Sequence, residues 1–124
     1  MLGNSAQAAT NKVLLDPVSA ANTAAATSSW IACADAEGAI MVIAQLGAVT
    51  GTIAWTIETA TDDSGTGGAA LTPTEGAFAA GAANQIQKRT VDASAVKGYL
   101  RIVGTIGTGP SLVAASIAYR PKYI

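Results

Sequence analysis

Two runs in the last quarter of the chain, Tyr99 to Val103 and Leu112 to Arg120, alternate their side chains with the period of a strand that has two unlike faces. In the first, Tyr99, Arg101 and Val103 alternate with Leu100 and Ile102. In the second, Val113, Ala115, Ile117 and Tyr119 share one face, and Ala114, Ser116, Ala118 and Arg120 share the other. Gly104, Gly107, Gly109 and Pro110 lie between them, where a ladder cannot continue and a reversal is favoured. The pattern predicts a β-hairpin, so the chain must build a sheet. Just upstream, Asp92 is placed to cap a single helical turn over residues 93–97, with Gly98 as the left-handed residue that ends it.

The same period recurs along the rest of the chain. Lys12-Val13-Leu14-Leu15 reads as a short first strand stopped by Asp16-Pro17, because proline supplies no ladder donor and restricts the residue before it. Residues 18–29, mostly Ala, Ser and Thr, suit an extended edge segment or a loop; alanine propensity also admits a helix from Ala20 to Ala26, with no apolar stripe to dock it. Trp30 to Cys33 opens a central β region, and Asp35-Ala36-Glu37-Gly38 reads as the turn out of it. Ala39 to Leu46 follows as a strand with Ile40, Val42, Ala44 and Leu46 on one face and Met41 and Ile43 on the other. Both faces are apolar, which predicts cover on both sides, from the sandwich or from a neighbouring subunit.

Gly47 to Gly51 reads as a loop. Thr52 to Thr59 is the cleanest core strand, with Ile53, Trp55 and Ile57 inward and a polar back. Ala60 to Ala83 has no strand character: a turn cluster at Asp62 to Gly68, then Pro73, then Gly and Ala around Phe78. Such a long loop is either functional or unstructured when alone. Asn84 to Val91 resumes as a strand whose Gln85, Gln87 and Arg89 mark an exposed edge. Short, evenly spaced strands with one helical turn and no βαβ alternation predict an all-β fold. The expected form is an antiparallel β-sandwich or jelly-roll-like domain over residues 12–124, after a flexible N-terminal arm, Met1 to Asn11. Shared phase groups Ile53, Trp55, Ile57, Leu100, Ile102, Val113 and Ile117 into one core.

Composition narrows the function. At 124 residues the chain holds one core; it is 50% hydrophobic but 5% aromatic, so the core is thin or completed by another subunit. A net charge of -1 with 12% charged residues argues against nucleic acid as a partner, and so weak a charge does little to oppose self-association. Histidine is absent, which removes the commonest general base and metal ligand. Cys33 is the single cysteine, and with no histidine to activate it, it reads as a small buried apolar residue on a strand. The first ten residues lack a basic region followed by an apolar run, and the longest apolar run, Ala39 to Ala44, falls far short of the ~20 residues of a membrane span. The expectation is a soluble protein made in a cytoplasm, with no membrane partner.

Three constellations invite a site. Asp62 and Asp63 in a Gly/Ser loop suggest calcium, but lack the alternating ligands and closing Glu of a calcium loop. Gly65-Thr66-Gly67-Gly68 is glycine-rich, but no lysine follows it, so it reads as a surface turn and not a phosphate cradle. Lys88, Arg89, Lys97 and Arg101 form a candidate basic patch, weighed against a solvated face or salt-bridged rim. No catalytic, cofactor-binding or metal site is assigned, and the chain reads as no enzyme.

Three stretches carry a resemblance. The run Thr52-Ile53-Ala54-Trp55-Thr56-Ile57-Glu58-Thr59-Ala60-Thr61-Asp62-Asp63 is followed by Lys97-Gly98-Tyr99-Leu100-Arg101-Ile102-Val103-Gly104-Thr105 and by a last strand ending in Tyr119-Arg120-Pro121-Lys122. Together they resemble small virion structural proteins of tailed bacteriophages, in which an x-V-x-E-S-x-D-D strand and turn precedes K-G-Y-L-R-V-x-x-T and a final strand closing in R-P-K. The likeness covers roughly Ala39 to Lys122; the Gly/Ala-rich loop after Asp63 and the N-terminal arm depart from it. It implies a β-sandwich on the virion, at the capsid surface, made in the host bacterial cytoplasm. The leading expectation is a capsid decoration (cement) protein whose partners are the major capsid protein and copies of itself, with the arm and the long loop reaching onto neighbours as a homo-oligomer. The alternatives are a neck or tail structural protein and, from another class, a carbohydrate-binding β-sandwich using Trp30, Trp55, Tyr99 and Tyr119 to stack on sugar rings.

Overall fold

The computed structural model describes residues 10–20, 25–49, 51–81, 83–107 and 110–121. They form strands β1 (Thr10–Ala20), β2 (Ala25–Thr27), β3 (Ile31–Ala32), β4 (Ala36–Val49), β5 (Ile53–Ala60), β6 (Ala69–Leu71), β7 (Ile86–Asp92), β8 (Tyr99–Ile106) and β9 (Ser111–Pro121). One 3-10 turn, Ala93–Ala95, sits between β7 and β8; the Asp92 carboxylate accepts from Ser94 N as its cap, and Gly98 has φ +119°. The strands pair antiparallel in two sheets, β1-β9-β4-β7 and β2-β8-β5-β6, with β3 also on β8. The two sheets pack face to face as an all-β sandwich.

The pairing has a simple centre. Ile57 lies opposite Leu71, Ile43 opposite Lys88, Ile31 opposite Leu100 and Val13 opposite Ser116, and all four pairs are symmetric about residues 64–66. The two halves of the chain thus pair in reverse order as one long hairpin folded at the Asp62–Gly68 turn, then rolled so that successive lengths fall in alternate sheets. With β2 and β3 taken as one interrupted strand, the result is eight strands in two four-stranded sheets, the winding of a jelly roll.

That winding corrects the expected C-terminal hairpin. β8 and β9 do not pair: β8 lies between β5 and β2 in one sheet, β9 between β1 and β4 in the other. The glycine- and proline-rich link between them is an arch across the sandwich, which needs the same turn residues as a hairpin. Each strand is central in its sheet and already has partners on both sides. Gly104 belongs to β8 and not to the link, because the Trp55 indole lies where its side chain would be.

The core holds as expected: Ile53, Trp55, Ile57, Leu100, Ile102, Val113 and Ile117 are all buried in one cluster, with Ile40, Val42, Val91 and Ile106. Each such side chain stabilises the fold by roughly 1.5–3 kcal/mol. On β4 only one face is covered, since Met41 is exposed and Ile43 half-buried while Ile40 to Leu46 in the opposite phase are buried. The expected double cover is therefore not supplied among the described residues.

Several boundaries move. β1 runs through Asp16-Pro17, because it is the edge strand of its sheet and the register shifts between Leu15 and Val18, leaving those two residues without ladder partners. Thr10 and Asn11 pair with Tyr119 and Ala118, so β1 begins two residues before the expected start of the domain; residues 1–9 of the expected arm lie outside the described residues, as do 21–24 of the alternative helix. The expected turn at residues 35–38 is a bulge: β4 starts at Ala36, Gly38 takes φ +76°, and the register with β9 shifts between Glu37 and Ile40.

The long Ala60–Ala83 segment is not a free loop. After the turn, β6 returns along β5, and residues 72–81 and 83–85 then cross to the other sheet and roof that side of the sandwich. Thr74 N donates to Thr90 O (2.8 Å), while Thr90 N and Oγ1 donate to the two Glu75 carboxylate oxygens (2.8 Å each). Gln87 faces inward and exchanges two 3.0 Å bonds with the backbone of Ala79. Its polarity serves the roof and not the solvent, which reverses the face expected for β7. The backbone edge of β7, an open template for another strand, is covered in this way.

Candidate functional site

The residues singled out by sequence are scattered, and most are committed to holding turns. Asp62 Oδ1 accepts from Ser64 N and Thr66 N at 3.0 Å each, and these bonds, Thr66 foremost, hold its carboxyl below the usual range. That carboxylate closes the hairpin turn on which the fold is centred. Asp63 is exposed, and among the described residues no group of three or more His, Cys, Asp or Glu side chains could hold a metal ion. Gly65 and Gly67 take φ of +86° and +68°, the conformation that a glycine turn requires, and Gly65 packs against the Trp30 indole.

The four basic residues do not meet. Lys88 is on the outer face of the four-stranded sheet, and Arg89 lies over the Phe78 ring at 5.4 Å. Lys97 Nζ donates to Gly67 O at 2.8 Å. Arg101 Nε bonds Glu58 Oε1 at 2.6 Å while its guanidinium stacks 4.4 Å from the Trp30 ring centre. Each of the last three ties two segments together, so the candidate patch is a set of local struts.

The four aromatic residues form no platform. Trp55 and Tyr119 are buried, and Trp30 has its ring engaged by Arg101 on one side and by Gly65. Of the four, Tyr99 alone has a half-buried ring with no such partner among the described residues.

One cluster was invisible in the sequence because its members lie at residues 12, 33, 35 and 119. Lys12 Nζ donates to Ala32 O at 2.6 Å and sits 5.3 Å from the Tyr119 ring centre, and Tyr119 Oη donates to Asp35 Oδ1 at 2.7 Å. Burial raises the Tyr119 hydroxyl, with Lys12 opposing. Cys33 beside them is buried just after β3, and burial pushes its thiol up to about 11, with Lys12 a smaller opposing influence. A thiol held so high presents almost no thiolate at neutral pH. The cluster pins β1 to the β3–β4 turn and the end of β9.

What the folding does assemble is a surface. Val13 on β1, Leu112 on β9, Met41 on β4 and Ile86 on β7 are the large hydrophobic side chains left exposed among the described residues, at 58%, 48%, 37% and 60%. Register places them all on the outer face of the β1-β9-β4-β7 sheet: Val13 opposite Ser116, Met41 opposite Ala118, Ile86 opposite Gln45, and Leu112 in phase with Ala114, Ser116 and, at the far end, Arg120. Ile43, Ala114, Ser116 and Ala118 fill the middle, and Lys88 enters from the β7 edge. Pattern alone gave half of this, in the second apolar face of β4; the contributions of Val13 and Ile86 needed the pairing. Among the described residues no helix is long and apolar enough to cross a membrane. No protein-family model matches the chain, and no curated protein matches it either.

Proposed function

We propose that this chain is a non-catalytic structural protein of a tailed-bacteriophage virion. In this reading it is a capsid decoration (cement) protein that fastens to the major capsid protein, and to copies of itself, through the outer face of the four-stranded sheet. The observation that carries the reading is the gathering of Val13, Met41, Ile86 and Leu112, from four different strands, onto one mostly apolar face, with Lys88 at its β7 edge and the facing pair Glu37 and Arg120 at one end. Surfaces of this kind mark contact sites. The Thr52–Asp63 and Lys97–Thr105 likeness to phage virion proteins supports it. So does the winding, by analogy only, since jelly rolls serve viral capsids but also lectins and cupins. The buried Trp55 and Tyr119 weigh against the lectin-like alternative.

Size limits how the face works. Met41 to Gly47 spans roughly 20 Å at ~3.4 Å per residue, and three strand spacings of ~4.8 Å give a width near 15 Å, an area of roughly 300 Å². A stable one-to-one interface takes ~800 Å² per partner. One such face is too small alone, so attachment needs many copies on a lattice, where neighbouring copies add contacts and avidity. In this reading the N-terminal arm ahead of β1 adds to the contact.

The test is co-sedimentation of purified protein with virions of the encoding phage stripped of it. The wild type should pellet with the particles, and Met41→Lys/Ile86→Lys should not, although its far-UV circular dichroism and melting are unchanged. Equal binding by the folded double variant, or no binding by the wild type, would sink the proposal. Electron microscopy of the same particles separates the capsid surface from the neck or tail.

A further inference from the structure

The ladder on the free side of β5 is interrupted at one residue. Ile57 pairs with Leu71, and Ile53 O accepts from Gly81 N at 2.8 Å, so every second residue of β5 between them aims its backbone groups at the roof. Trp55 is that residue. In the β5–β6 register Pro73 would stand opposite it, and proline has no N–H to give. The chain instead leaves for Thr90, and among the described residues no backbone bond from 72–81 reaches Trp55. The interruption leaves a half-open cavity of about 190 Å³, bounded by Trp55, Ile57, Leu71, Pro73, Ala77 and Phe78 among others.

The Trp55 side chain is 5% exposed, and among the described residues its Nε1 has no hydrogen-bond partner. Its direction follows from ring geometry. Cζ3 and Cε3 lie over Gly104 on β8, at 2.8 and 3.1 Å from where a Cβ would stand. In an indole the bond from Cε2 to Nε1 points away from Cζ3, so the N–H faces away from β8, to the side of β5 where the residue lines the cavity. A buried donor without a partner costs about 1–3 kcal/mol.

We infer that this notch is a binding site for a small uncharged molecule with a compact apolar body and one hydrogen-bond acceptor, which the Trp55 N–H takes. The walls are mostly apolar and no lining side chain is charged, which excludes an ion as the ligand. The volume compares with the ~150 Å³ cavity that accepts benzene, so a ring of about six heavy atoms fits. The inference is independent of the attachment face, which lies on the other sheet.

The experiment uses the full chain labelled with ¹⁵N. Its two tryptophans give two indole N–H signals, assigned with Trp30→Phe. Cyclopentanone, a carbonyl on a five-membered ring, should shift the Trp55 signal saturably, with a dissociation constant on the order of millimolar, the scale for so few atoms. Cyclopentane, lacking the acceptor, should bind about fivefold more weakly, the worth of one hydrogen bond. Ala77→Leu, which fills the notch, should abolish the response while leaving the melting temperature in place. A Trp55 signal that ignores the ketone and shows only a bound water overturns the inference, as does a shift that persists in Ala77→Leu.

Discussion

Replacing Gly104 with alanine tests the packing from which the orientation of Trp55 is read. The new methyl would lie 2.8 Å from Ile53 Cδ1, 2.8 Å from Trp55 Cζ3 and 3.1 Å from Trp55 Cε3. Carbon atoms rest at ~3.5–4.0 Å, so each neighbour must give by most of an ångström. Ile53 can swing its terminal methyl; the buried indole is rigid and cannot. Overpacking of this kind costs about 1–3 kcal/mol, and the lower entropy of the unfolded alanine chain returns about 0.4–1 kcal/mol. The net loss is about 1–2 kcal/mol, which at a urea slope of ~1–3 kcal/mol/M moves the unfolding midpoint down by roughly 0.5–1 M. In a Trp55→Phe background the outer ring is gone, and the same Gly104→Ala change should cost less than half as much. A Gly104→Ala protein as stable as wild type, or a cost that does not change with Trp55→Phe, refutes the orientation.

Three further outcomes follow from the contacts. Gln87→Ala removes both bonds to Ala79 and should destabilise by about 1–3 kcal/mol, with faster amide exchange confined to residues 72–81; exchange already fast there in wild type would mean the roof is not tied down. Cys33 holds its proton to about 11 in the fold, so above the ordinary thiol value of 9.0 the unfolded chain ionises first, and stability falls as pH rises through 9 to 11; Cys33→Ala should melt with a flatter profile over that window. Asp62, Glu75 and Asp92 are all held below their ordinary values by hydrogen bonds, so their contribution is complete above pH ~5 and is lost as acid protonates them. Asp62→Asn should weaken the acid sensitivity and Asp62→Ala the fold itself, read by thermal melts from pH 7 to 3.

The sequence resolves faces better than neighbours. The alternation of Ile53, Trp55 and Ile57, and of Val113 to Tyr119, is imposed locally by burial of one side of a strand, and it matches the buried set. Which strand lies beside which is set by a roll of the whole chain, and no local signal separates the arch after Ile106 from a hairpin. The inward turn of Gln87 was illegible for a related reason: its partner is the backbone of Ala79, eight residues away in a segment whose composition suggests no order. Pro17 misled because its meaning depends on whether β1 is an edge strand. The exposed apolar face was half-legible, in Met41 and Ile43, and the notch at Trp55 not at all, since the residue reads as an ordinary core tryptophan and only the register exposes Pro73 opposite it.

Cryo-electron microscopy of the virion to which the proposal assigns this chain bears most directly on the proposed role. The sandwich should appear at the capsid surface with Val13, Met41, Ile86 and Leu112 turned onto the capsid or onto a neighbouring copy. Density for the sandwich with that face turned to solvent, or a virion without the protein, would contradict it.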